Sequence, residues 1–152
     1  MSAYSLVKWL HILAAIVALG ANFTYRFWLS RAAQVPEALQ FTLATVKALD
    51  RRLANPAYGV SLVTGLILVY LGHWPLTASW IDLGLGLYLT IFLLGFFVYA
   101  PAFRRQIQLA ETAGPRSPEY AAAARRGRWL GILVTGLVVF IELLMVTKPQ
   151  LW

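Results

Sequence analysis

Residues 129–147 read WLGILVTGLVVFIELLMVT, and the only ionisable side chain among them is Glu142. At about 1.5 Å of rise per residue, roughly 20 apolar residues in a helix cross the ~30 Å hydrocarbon core of a bilayer. The run reads as a membrane-spanning helix, and Glu142 as a carboxyl group carried into lipid. Three more runs have this character: residues 6–29, 58–71 and 83–102. The run 58–71 is short, but Pro56 and Trp74 bracket it. Lipid leaves an apolar segment few ways other than a helix to satisfy its backbone.

The whole chain agrees with these four runs. It is 60% hydrophobic, 14% aromatic and only 12% charged over 152 residues, with a mean hydropathy of +0.68. The expected fold is all-α: one domain over residues 1–152, a polytopic four-transmembrane-helix bundle with both termini outside.

A net charge of +7 would suit a nucleic-acid binder if it were spread over one face, but it follows the topology instead. Arg26, Arg31, Lys47, Arg51 and Arg52 lie at or between the first two runs. Arg104, Arg105, Arg116, Arg125, Arg126 and Arg128 lie between the last two. Short basic loops stay on the cytoplasmic side, so loops 30–57 and 103–128 are expected there, with a cell inner (plasma) membrane location. These loops also attract anionic lipid headgroups. No nucleic-acid partner is expected.

Lys8 followed by an apolar run ending Ala18-Leu19-Gly20-Ala21 has the outline of a secretory signal, but it is read here as the first membrane helix. The chain has no cysteine, which excludes disulfides, thiolate-held iron–sulfur clusters and C-x-x-C-H haem attachment. Residues 38–53 carry Leu39, Leu43, Val46, Leu49 and Leu53 near helical spacing, as an interfacial amphipathic helix or an extension of helix two. Gly114, Pro115 and Pro118 mark a turn, after which residues 119–128 run into helix four.

Inside the spans, spacings of three and four pick out one small or polar face per helix. Helix one shows His11, Ala15, Ala18, Asn22 and Tyr25; helix two Tyr58, Ser61, Gly65, Leu68 and Gly72. Helix three shows Gly84, Tyr88, Ile91, Gly95 and Tyr99; helix four Gly131, Thr135, Val138, Glu142 and Met145. Small residues let helix backbones approach, and polar ones hide from lipid, so these stripes should face one another. Gly127 and Gly131 form a small-xxx-small pair that offers a homo-oligomer contact.

Ionisable groups in hydrocarbon are costly, which makes His11 and Glu142 functional candidates. His11 lies just inside Lys8 and Glu142 just before Lys148, so both occupy the outer half, about one helical turn apart in depth. His73 and Asp82 flank the same end. One reading makes His11 a haem or metal ligand with Glu142 as its carboxylate partner, and His73 a second axial ligand if helices one and two are neighbours. A second makes His11 and Glu142 a proton relay. A third is structural, the two groups satisfying each other.

Several segments together resemble one family pattern. They are Leu6-Val7-Lys8-Trp9-Leu10-His11, the stretch Arg51-Arg52-Leu53-Ala54-Asn55-Pro56 leading to Thr64-Gly65-Leu66, then Trp80-Ile81, and finally Met145-Val146-Thr147-Lys148-Pro149. The pattern is that of the bacterial four-helix membrane proteins catalogued as domain of unknown function 2269. It is distantly similar to the HemJ-type protoporphyrinogen IX oxidases and the copper-resistance D membrane domain. The resemblance implies a b-type haem or redox role, with His11 at the position of the first-helix histidine. It also shows departures from the HemJ-type pattern: Trp80 is followed by Ile81, Asp82, Leu83 and Gly84, and helix three contains neither the lysine nor the histidine of those oxidases. Arg51 and Arg52 are candidates for a porphyrin propionate or a lipid phosphate, or plain membrane anchors.

The leading expectation is a small membrane protein binding haem b, or less readily copper, near its outer face, for electron transfer or a haem-linked oxidation. The metal-ligand candidates are His11 and His73, and the cofactor-binding candidates add Glu142, Asn22 and Tyr88. A membrane oxidoreductase of the haem pathway is the enzyme this would be. The alternatives are a cofactor-free accessory subunit of a larger membrane complex, or a small proton-coupled transporter.

Overall fold

The computed structural model describes residues 2–152 and contains four long helices. They are α1 (Ala3–Ala32), α2 (Pro36–Leu71), α3 (Ser79–Thr112) and α4 (Pro118–Thr147), each long and apolar enough to cross a membrane. At 30 to 36 residues each, they are about 45–54 Å long, which exceeds the hydrocarbon thickness. Part of each rod therefore stands outside the lipid.

Helix termini follow local chemistry. Ser2 Oγ accepts from the Ser5 N–H at 3.2 Å, and Ser117 Oγ from the Tyr120 N–H at 3.1 Å. Pro36 and Pro118 open α2 and α4, where a missing N–H costs nothing. The segment 38–53 is not a separate interfacial helix. It is the lower arm of α2, so the second rod is far longer than the apolar run 58–71. Similarly, α3 continues past residue 102 to Thr112.

Two prolines leave a mark inside the rods. Asn55-Pro56 and Ala100-Pro101 each follow a π-helical turn, Asp50–Ala54 and Gly95–Tyr99, in which the closing N–H reaches back five residues. A proline ring clashes with the carbonyl four residues earlier and donates no hydrogen bond to it. Widening the turn makes room without breaking the rod.

The rods pack in the order α2, α1, α4, α3 around the bundle. At the basic end the arms of α2 and α3 also touch, which closes the ring there. At the opposite end Asn55–Leu71 and Ser79–Leu94 are not direct neighbours. The Tyr88 hydroxyl, donating to the Tyr58 carbonyl at 3.0 Å, spans that gap.

Two kinds of packing hold the molecule. The basic end has a conventional core, with Leu39, Leu43 and Val46 of α2 buried against Tyr25, Phe103 and Tyr120. In water such side chains are driven together by the hydrophobic effect. Within lipid that drive is absent and close approach takes over. There the buried positions include the small residues Ala14, Ala18, Thr64 and Gly84 beside the larger Ile81, Val138 and Leu144, and Met145 Cε rests directly on Gly84. Gly127 is used within the chain: a Cβ there would lie 2.8 Å from Gln106 Oε1, so the residue packs against α3.

The far end is fastened by the C-terminal tail. Ser79 Oγ donates to the Pro149 carbonyl at 2.6 Å and accepts from the Leu151 N–H at 2.9 Å. Lys148, in the left-handed region at φ 45°, ends α4 and turns the chain toward α3. Its Nζ lies 4.9 Å from the Trp74 ring centroid and 5.1 Å from that of Trp80, within cation–π range.

Candidate functional site

The stripes read at helical spacing do face inward, with one shift of position. In the Asn55–Leu71 part of α2 the buried residue is Thr64, 5% exposed, while Ser61 and Gly65 beside it are half-buried. These three form the wall against which His11 packs. His11 Nδ1 lies 2.9 Å from the Ser61 carbonyl and 3.1 Å from Thr64 Oγ1. A carbonyl only accepts, so Nδ1 carries the proton and donates. The Thr64 hydroxyl spends its own proton on the Val60 carbonyl at 2.6 Å, leaving its lone pairs for Nδ1.

This arrangement fixes the histidine tautomer. With Nδ1 protonated, Nε2 keeps its lone pair and is the free nitrogen of the ring. Gly65 holds the ring close: a Cβ at that position would lie 3.1 Å from His11 Cε1 and 3.5 Å from Nδ1. Thr64 escaped the stripe because the spacing chosen for helix two steps from 61 to 65. The signal for it was a polar residue beside a glycine on the same face.

Glu142, half-buried on α4, lies within electrostatic reach of His11. The two share a neighbourhood, although the hydrogen bonds of His11 go to Ser61 and Thr64.

Asn22 and Tyr88 belong to a different level. Eleven positions separate His11 from Asn22 on α1, about 16 Å along the axis. Asn22 Nδ2 donates to the Ala18 carbonyl at 3.1 Å and to the Tyr58 hydroxyl. Tyr88 bonds the carbonyl of the same Tyr58. Tyr58, which helical spacing places on the inward stripe of helix two, is thus the joint of this second cluster.

His73 lies apart from both groups. It follows Gly72 at the end of α2, exposed and in the left-handed region at φ 54°. Nine positions past Thr64, it lies beyond the His11 level by about 13 Å. Arg51 and Arg52 are exposed near the basic end, twelve or more positions from Thr64 in the other direction. Among the described residues, no three His, Cys, Asp or Glu side chains come together as a ready-made metal cage.

The fold and its polar interior define a four-helix integral membrane protein. The chain belongs to the family described as "Predicted integral membrane protein (DUF2269)", which matches residues 5–149. Neither the curated proteins nor the solved structures contain a match to it.

Proposed function

We propose that this protein binds haem b through His11 in the outer half of the membrane and serves electron transfer. The observation that carries the reading is the hydrogen bond from His11 Nδ1 to the Ser61 carbonyl. Axial histidines characteristically donate the other ring nitrogen to a backbone carbonyl or carboxylate, which sets the tautomer and orients the ring.

The donor set favours haem over copper. A haem brings its own four ring nitrogens and asks the protein for one or two axial groups. A copper ion held by protein alone needs several soft or imidazole donors together, and His11 has no second histidine at its level. In this reading His11 Nε2 would hold the haem iron, and Glu142 would supply a nearby carboxylate. Haem would contribute one-electron chemistry, while the chain orients the ligand and shields it from water. The basic loops 30–57 and 103–128 face the cytoplasm, and His11 lies toward the outside.

The test is an absorption spectrum of the protein purified in mild detergent with haem supplied. A Soret band lost in His11→Ala and kept in His73→Ala supports the proposal. A folded protein that takes up no haem overturns it and favours an accessory subunit.

A further inference from the structure

The basic end of the bundle carries more than the charge its orientation requires. Eleven of the thirteen Lys and Arg residues and four of the six acids lie there, so that end holds the whole formal +7 and the side chains of the opposite end cancel. Ten of those eleven cations are arginine, with Lys47 the exception. Lysine and arginine serve equally to keep a loop on one side of a membrane. A guanidinium differs in presenting a planar fork of donors that fits the oxygens of a phosphate. The preference therefore concerns what these charges meet.

On α3 two of the arginines belong to a shaped surface. Pro101, Arg104, Arg105, Gln108, Leu109 and Thr112 recur at helical spacing on one face, opposite the buried Phe103, Gln106 and Ala110. They line a shallow concavity of about 500 Å³. The apolar run 83–102 is about 30 Å long as a helix, so Arg104 and Arg105 stand just past the hydrocarbon, at the level of the lipid phosphates. Phe97 and Leu93, one and two turns nearer the membrane centre than Pro101, are exposed. Glu111, the one acid between Ala100 and Thr112, is not part of the lining.

The polar groups of this face divide into donors and acceptors. Both arginines are exposed and only donate. Gln108 donates through its amide nitrogen and accepts through its side-chain oxygen. The Thr112 hydroxyl gives its proton to the Gln108 backbone carbonyl at 2.9 Å, which leaves it an acceptor.

We propose that this face of α3 binds an anionic phospholipid whose headgroup carries free hydroxyls, as phosphatidylglycerol does. Arg104 and Arg105 hold the phosphodiester oxygens, Gln108 and Thr112 accept from the headgroup hydroxyls, and the acyl chains run beside Phe97 and Leu93. Free glycerol phosphate shares the polar group but has no chains to lie against those two residues. The site has no residue in common with the His11 level and stands whether or not haem is bound.

The experiment titrates the full chain in mild detergent with single lipids and counts bound lipid by native mass spectrometry. Phosphatidylglycerol should be retained at concentrations where phosphatidylcholine is not. Exchanging both arginines, Arg104→Lys with Arg105→Lys, keeps the charge and removes the forks, and should weaken phosphatidylglycerol by about tenfold. The same exchange at exposed positions of α4, Arg125→Lys with Arg126→Lys, should match wild type. Equal weakening by both double variants, or by neither, overturns the site and leaves only general attraction between charges. Gln108→Ala tests the headgroup: the wild-type preference for phosphatidylglycerol over phosphatidylmethanol, an anionic diester without headgroup hydroxyls, should disappear. A preference that survives, or that wild type never shows, overturns the hydroxyl contact. Competition by free glycerol phosphate at the lipid's own concentration overturns the choice of a lipid. All exchanged side chains are exposed, and circular dichroism checks that each variant is folded.

Discussion

His11 Nδ1 donates to the carbonyl of Ser61 across 2.9 Å, fifty positions away in sequence. That bond joins α1 to α2 at the level where the ring is pressed against Gly65, and it decides which nitrogen of the imidazole remains free.

A methyl group at Gly65 would stand 3.1 Å from His11 Cε1, so Gly65→Ala should push the ring off the Ser61 carbonyl. The chain has only two histidines, which makes nitrogen-15 NMR of histidine-labelled protein readable. The expected outcome is a mixed His11 tautomer in Gly65→Ala, with exposed His73 unchanged. Thr64→Val keeps the shape and the Ser61 bond, so it should leave the tautomer intact and cost about 1 kcal/mol. An unaltered His11 spectrum in Gly65→Ala would show that the contact does not hold the ring.

Ser79 joins one carbonyl and one amide of the tail to the start of α3. In Ser79→Ala the Pro149 carbonyl and the Leu151 N–H lose their partner at a site 0% exposed. A loss of about 1–3 kcal/mol is expected, together with faster removal of the last residues by carboxypeptidase. Digestion at the wild-type rate would rule out the clasp.

The two packing regimes predict opposite sensitivities. Leu43, 0% exposed in the basic-end core, should cost about 2–5 kcal/mol on truncation to alanine. Gly84 instead should reject enlargement: Gly84→Leu collides with Met145 and separates α3 from α4, costing about 1–3 kcal/mol or more. Thermal unfolding in detergent measures both. Equal tolerance of the two changes would contradict the division between a hydrophobic core outside the lipid and close-approach packing within it.

Much of this was legible beforehand. The inward stripes of α1, α3 and α4 fall where three- and four-residue spacing puts them, since lipid-facing and interior surfaces differ in composition. The lengths of α2 and α3 were not legible from hydropathy, because their basic arms are polar on one side and continue the helix beyond the apolar run. Pro56 and Pro101 marked those junctions in sequence, but whether a proline ends a rod or widens one turn depends on what packs around it.

The number of membrane-crossing helices and the placing of His11 and Glu142 in lipid follow from run length and charge, because bilayer thickness sets a fixed ruler for any chain. The partner of each polar group does not follow. That His11 turns to Ser61 and Thr64 and that Asn22 meets Tyr58 both depend on the order of rods around the bundle. Periodicity along one helix carries no information about that order, which arises from which small residues allow which pairs of backbones to approach.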